Sequence, residues 1–167
     1  MEYLSVENQK ALAHRYKTAV VIVMGFCISV MVYMLLARIL TPKEITPGSE
    51  SWQQPVYSAA IVLGLVVVVL RRILLSNMMI GPAIQRGVQA ILQHLFTVTL
   101  VICVLAEIAA IAGLILYFLT GDSQYSWRLS VVSLFLLAYN FPRRGEWERA
   151  VAHSANLKTN AAVQTAR

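Results

Sequence analysis

One stretch of this chain limits its fold more than any other. Residues 88–119 form a run of 32 residues that contains one acid and no lysine or arginine. A helix needs about 20 consecutive apolar residues to cross a bilayer core about 30 Å thick. Three shorter apolar stretches occur elsewhere in the chain. Because only helices or closed barrels satisfy their backbone groups inside lipid, the pattern predicts an all-α integral membrane four-helix bundle. The predicted spans are residues 18–40, 56–72, 88–119 and 127–141.

The composition supports lipid as the main solvent. Hydrophobic residues make up 58% of the 167 residues, and charged residues only 13%. Soluble domains carry roughly 25% charged residues. The sequence therefore divides into a polar N-terminal segment (1–17), a transmembrane domain (18–141) and a polar tail (142–167), in which a helix is expected over 146–153. The proline-rich stretch 41–55 and the Gly81-Pro82 pair predict irregular connections.

The distribution of basic residues predicts the orientation. With four spans, the two termini and the loop between spans two and three share one side of the membrane, which holds eleven lysines and arginines. The other side holds only Arg38, Lys43 and Arg128. The positive-inside rule then places both termini in the cytoplasm, and a bacterial inner membrane is the expected location. Topology alone accounts for the net charge of +6, so no nucleic-acid partner is expected.

Neither a metal nor a cofactor is indicated. Cys27 and Cys103 both lie within apolar stretches, and the chain lacks metal-ligand spacing. His94 is the only histidine inside a predicted span. A haem held by two histidines would need a ligand from another chain, so His94 is interpreted as an interfacial polar residue. No catalytic motif is present, and the protein is not expected to be an enzyme.

The one acid within a span is Glu107. It lies twelve residues before Leu119, about 18 Å from the outer end of the third span by helix rise. An ionised carboxylate at that depth costs several kcal/mol, and intramembrane acids often mark ion or proton sites. We therefore expect Glu107 to be a neutral acid unless water or a cation reaches it. Hydroxyl groups that could bond to it belong to Ser29, Ser58, Thr99, Ser130 and Ser133.

Small residues surround this acid on the third span. Ala106, Ala109, Ala110 and Gly113 form a stripe that permits the close approach of another helix. The stripe predicts a helix-packing surface, either within the bundle or against a partner subunit.

The segment Leu105–Leu116 resembles the acid-bearing helix of rotary ATPase proteolipids, the c-type subunits. The acid Glu107 is followed by Ala110-Ile111-Ala112-Gly113-Leu114, and a polar loop with Pro82, Gln85 and Arg86 precedes it by about 20 residues. The resemblance covers about 12 residues firmly. It implies that Glu107 carries a proton or Na⁺, and that spans two and three form a hairpin.

Two functions are compatible with these features. The sequence slightly favours a non-catalytic accessory or assembly subunit of a larger membrane complex, which would dock through the small-residue stripe or associate with itself. The alternative is a proteolipid-like subunit that moves protons or ions through Glu107. Small multidrug transporters also combine four short spans with one intramembrane glutamate, but they carry it on the first helix.

Overall fold

The protein is all-helical over the part of the chain that its structure, a computed structural model, describes. This part comprises residues 6–40, 50–74, 81 and 86–165, without the side chains of 50–53 and 155–165. Most of the predicted connections at 41–55 and Gly81-Pro82 lie outside it. The helices are α1 (Val6–Ile39), α2 (Glu50–Leu74), α3 (Val88–Thr120), α4 (Ser123–Tyr139) and α5 (Arg144–Thr165).

Three of these helices are long and apolar enough to cross a membrane: Val6–Ile39, Gln54–Leu74 and Val88–Thr120. They confirm the all-α membrane character that the sequence predicts. The predicted fourth span corresponds to α4, which has 17 residues. Its length is about 25 Å by helix rise, less than a bilayer core of about 30 Å. Among the described residues these three helices are therefore the candidate spans by length and composition, and α4 lies at the lower limit of about 17 residues for a crossing.

The observed helices extend beyond several predicted boundaries. Helix α1 begins at Val6 and continues without interruption to Ile39, so the described part of the polar N-terminal segment belongs to the first long helix. Helix α2 begins at Glu50, before Pro55. Helix α5 runs from Arg144 to Thr165, well past the predicted 146–153.

Helix α3 lies at the centre of the packing. It contacts α1, α2, α4 and α5, whereas no described residue of α1 contacts α2. Its buried positions include Ile102, Cys103, Ala106 and Ala110, which join residues of α1, α2 and α4 in the largest apolar cluster. The helices α1 and α2 thus pack on α3 separately.

A two-residue turn reverses the chain between α3 and α4. Gly121 ends α3 in the left-handed region with φ of 75°, and its N–H donates to the Tyr117 carbonyl. Glycine suits this position because it has no Cβ to oppose a positive φ. Asp122 then caps α4 by accepting a hydrogen bond from the Gln124 N–H at 2.9 Å. The turn makes α3 and α4 an antiparallel pair.

The predicted small-residue stripe faces the interior of the chain. Ala106, Ala109 and Ala110 are fully buried, and Gly113 is buried against α4. The stripe therefore packs against helices of the same chain, and it does not form an external docking surface here.

A second apolar cluster joins the first and last helices to α3. Trp147 and Val151 of α5 are buried with Ile91 and Leu92 of α3 and with Leu12 of α1. This burial gives α5 one apolar face. Helix α5 therefore packs on the bundle along its first turns instead of leaving it as a solvated tail.

Candidate functional site

The acid of α3 faces α1 and is hydrogen-bonded to two of its hydroxyl groups. The Ser29 hydroxyl donates to Oε1 of Glu107 at 2.7 Å. The Tyr33 hydroxyl donates to the same oxygen at 2.9 Å. We refer to Ser29, Tyr33 and Glu107 as the carboxyl–hydroxyl cluster. It joins two helices whose residues are more than 70 positions apart in the sequence.

Helix geometry brings the two donors to one point. Ser29 and Tyr33 are four residues apart, so they lie on the same face of α1 about one turn from each other. That face is fixed by Val30, which is fully buried in the cluster that also contains Cys103 and Ala106 of α3. Small side chains on α3 allow α1 to approach closely enough for a short serine side chain to reach the acid.

The two oxygens of Glu107 have different surroundings. Oε1 accepts both hydroxyl hydrogens, whereas Oε2 has no hydrogen-bond partner among the described residues. The side chain is partly exposed at the surface of the helix pair. No lysine or arginine of the described chain forms an ion pair with it. Oε2 is thus the oxygen at which a proton can be added or removed without breaking a hydrogen bond.

This arrangement suits proton binding better than binding of a transition metal. The described residues contain no group of three or more His, Cys, Asp or Glu that could hold a metal ion. The cluster has one carboxylate and two hydroxyls, all oxygen groups, which are hard ligands. As a neutral acid, Glu107 can keep its proton on Oε2 and accept both hydroxyl hydrogens on Oε1.

The hydroxyl groups that the sequence suggests as partners of Glu107 differ in their hydrogen bonding. Ser29 bonds to Glu107, as the sequence allows. Thr99 instead donates to the Leu95 carbonyl of its own helix at 2.9 Å, and Ser58 is exposed. Ser130 and Ser133 are fully buried without a hydrogen-bond partner among the described residues.

Sequence reasoning missed Tyr33. The signal that could have found it is its spacing of four residues from Ser29, which places both hydroxyls on one face of α1. The predicted interfacial residue His94 also has a structural partner. Its Nε2 lies 3.1 Å from the Leu74 carbonyl. Since a carbonyl only accepts, Nε2–H donates and satisfies a free carbonyl at the end of α2.

The fold and the cluster together define an all-helical integral membrane protein with an acid shared between two of its helices. No protein-family model, curated protein or solved structure matches this chain.

Proposed function

We propose that this chain is a non-catalytic membrane protein that binds and releases a proton at Glu107. The observation that carries the proposal is the asymmetry of the carboxyl group. Oε1 accepts the two α1 hydroxyls at 2.7 and 2.9 Å, and Oε2 has no hydrogen-bond partner in the described chain. A proton can therefore occupy Oε2 while the hydrogen bonds to α1 remain.

The cluster couples this proton to the pairing of α1 with α3. Hydrogen bonds to an ionised carboxylate are roughly twice as strong as those to a neutral acceptor. Ser29 and Tyr33 therefore hold α3 more tightly when Glu107 is ionised than when it is neutral. Protonation of Glu107 therefore weakens the contact between α1 and α3 at the carboxyl–hydroxyl cluster. By the same coupling, movement of α1 changes how tightly Glu107 binds its proton.

The membrane arrangement that goes with this proposal has four crossings. Helix α4 returns antiparallel to α3 after the turn at Gly121, and α5 follows it after Pro142. The excess of basic residues near both termini supports a cytoplasmic location for the termini and a bacterial inner membrane as the host. Trp127 at the start of α4 is exposed, as an aromatic anchor at the outer interface would be.

The resemblance of Leu105–Leu116 to rotary ATPase proteolipids points to the same residue and the same chemistry. It supports Glu107 as the carrier of a proton or Na⁺. A rotor ring is not part of the proposal, because α2 offers only Gly64 for the close helix packing that a ring requires.

A second candidate function is an accessory subunit of a larger membrane complex. One observation favours it. A groove of about 710 Å³ opens between α1 and the start of α4, and its lining includes Met31, Met34, Leu35 and Trp127. Adaptable methionines and an exposed tryptophan are suited to helix docking. Because the small-residue stripe is buried, this groove replaces it as the surface for a partner subunit or a second copy.

Infrared titration of the full chain in lipid nanodiscs tests the first proposal. The carbonyl stretch of a protonated acid in an apolar site should disappear as the pH rises, and it should be missing from Glu107→Gln. In Tyr33→Phe the carbonyl band of the protonated acid should move to higher frequency than in the wild type, because Oε1 loses one of its two hydrogen-bond donors. Ser58→Ala is the matched control and should titrate like the wild type.

Two outcomes would count against reversible proton binding. The first is a protonated signal from Glu107 that persists at every pH at which the protein stays folded. The second is a carbonyl band in Tyr33→Phe at the same frequency as in the wild type. Co-purification in mild detergent addresses the second candidate. A partner that is retained by Glu107→Gln and lost after Met34→Glu supports the accessory role.

A further inference from the structure

A second polar region lies at the opposite end of the bundle from Gly121. Between α4 and α5 the helical path breaks at residues 140–143, and the break opens a groove of about 910 Å³. Its walls come from α2, α3, α4 and α5. We refer to it as the arginine groove, defined by Val68, Arg71, Arg72, Asn140, Arg143, Glu146 and Arg149 with the apolar residues beside them.

The arginine groove carries an excess of positive charge. Four arginines line it, at positions 71, 72, 143 and 149, against the single acid Glu146. Arg71 and Arg143 share that acid at 3.6 and 3.9 Å. Arg72 and Arg149 form no ion pair in the described part of the chain, and both are exposed. The charged residues that line the groove therefore carry a net charge of +3, from four arginines and one glutamate.

One of these arginines has a structural role. Arg71 donates to the Tyr139 carbonyl at 2.6 Å, and its guanidinium lies 5.3 Å from the centre of the Tyr139 ring. It thereby satisfies a carbonyl at the end of α4 and fixes α2 to the break. The two arginines without ion pairs, Arg72 and Arg149, are the ones left to bind an anion.

The groove also has an apolar side and a buried acceptor. Val68 is 40% exposed, and Val98 and Ile102 of α3 continue the apolar wall. The Asn140 side-chain oxygen is buried without a hydrogen-bond partner among the described residues, although its amide nitrogen donates to the Leu136 carbonyl at 2.6 Å. The ligand that fits therefore combines an anion, a hydroxyl donor and a hydrocarbon chain.

We propose that the arginine groove is a specific site for an anionic phospholipid. The phosphate contacts Arg72 and Arg149, a headgroup hydroxyl donates to Asn140, and an acyl chain lies along Val68. Basic pockets between membrane helices are suited to acidic headgroups because the phosphate neutralises charges that face a medium of low dielectric constant. The chain's own C-terminal segment is a poor occupant, since residues 150–167 contain His153, Lys158 and Arg167 but no acidic side chain.

Lipid titration of the delipidated full chain in mild detergent tests this proposal, with native mass spectrometry as the readout. Phosphatidylglycerol should bind saturably, phosphatidylcholine should bind weakly, and soluble glycerol 3-phosphate should not compete. Replacing both Arg72→Gln and Arg149→Gln should weaken phosphatidylglycerol binding by about 30-fold, which corresponds to about 2 kcal/mol. The matched control, Arg38→Gln with Arg128→Gln, removes the same charge near the other end of the bundle and should bind like the wild type.

A second variant tests the acyl-chain side with all arginines retained. Val68→Trp fills the apolar wall and should also reduce phosphatidylglycerol binding, while circular dichroism shows an unchanged helix content. Equal binding of phosphatidylcholine and phosphatidylglycerol would overturn the proposal, as would wild-type affinity in the double arginine variant. Competition by glycerol 3-phosphate would assign the site to a soluble phosphate instead of a lipid.

Discussion

Gly113 of α3 and Leu129 of α4 are in such close contact that no side chain fits between them. A Cβ atom on Gly113 would lie 2.8 Å from the Leu129 Cβ and 3.3 Å from the Ser126 Cα. Neither of these atoms is the flexible end of a side chain, so the helices themselves would have to separate. The absence of a side chain at this one position thus sets the spacing of the α3–α4 pair.

The first prediction follows from this contact. Gly113→Ala should destabilise the folded protein by about 1–3 kcal/mol, the usual effect of overpacking a close-packed interface. Unfolding in mixed detergent micelles measures the change. Gly25→Ala is the matched control, because nothing lies within 4 Å of that position, and it should cause no loss. A Gly113→Ala protein as stable as the wild type would contradict the observed approach of α4.

The second prediction concerns the buried serines of α4. The Ser130 hydroxyl is fully buried and has no hydrogen-bond partner among the described residues. Removing an unsatisfied buried polar group relieves its desolvation cost. Ser130→Ala should therefore raise the free energy of unfolding by about 1 kcal/mol, whereas Ser29→Ala should lower it. Destabilisation by Ser130→Ala would mean that this hydroxyl has a partner beyond the described residues.

The third prediction measures the contact between α1 and the acid. A double-mutant cycle of Tyr33→Phe with Glu107→Met should give a coupling of about 0.6 kcal/mol, the average for hydrogen bonds between membrane helices, and not more than about 1.7 kcal/mol. The control cycle replaces Tyr117→Phe, because the Tyr117 hydroxyl donates to the Leu40 carbonyl instead. Its coupling with Glu107→Met should be near zero. Equal couplings in the two cycles would show that Glu107 acts through the whole bundle and not through Tyr33.

The fourth prediction concerns the end of α2. Arg71→Gln removes a charged donor from the Tyr139 carbonyl and an ion pair from Glu146. Hydrogen bonds from charged groups contribute about 1.5–3 kcal/mol, so the free energy of unfolding should fall by a similar amount. Arg38→Gln, an exposed change at the end of α1, should have little effect. Hydrogen exchange should quicken around Tyr139 only in Arg71→Gln, and an unchanged exchange rate there would refute this role.

The difference between predicted and observed packing of the small-residue stripe has a simple physical origin. Small residues at helical spacing identify a surface that another helix can approach closely. They carry no information on whether that helix comes from the same chain. The short turn at Gly121 brings α4 against Gly113, and this connection decides the occupant.

The hydrogen-bond partners of Glu107 were predicted only in part, also because the sequence does not specify how the helices face each other. Its place within an apolar stretch follows from the order of residues, so Glu107 stands out in the sequence. Its partners depend on which face α1 turns towards α3, and the burial of Val30 decides that face. Five hydroxyls were compatible with the sequence, and one of them, Ser29, bonds to the acid together with the unforeseen Tyr33.

The sequence by itself determined that this protein is helical and embedded in a membrane. Long apolar stretches with few charges are stable in lipid, and a single stretch can satisfy its backbone hydrogen bonds there by forming a helix. The sequence also determined that an acid would have to be accommodated on α3. Only the tertiary structure decided that Tyr33 contacts this acid, that the small-residue stripe is covered by its own chain, and that arginines from α2 and α5 meet in one groove. Those relationships join residues far apart in the chain, and the rotation and separation of packed helices set them.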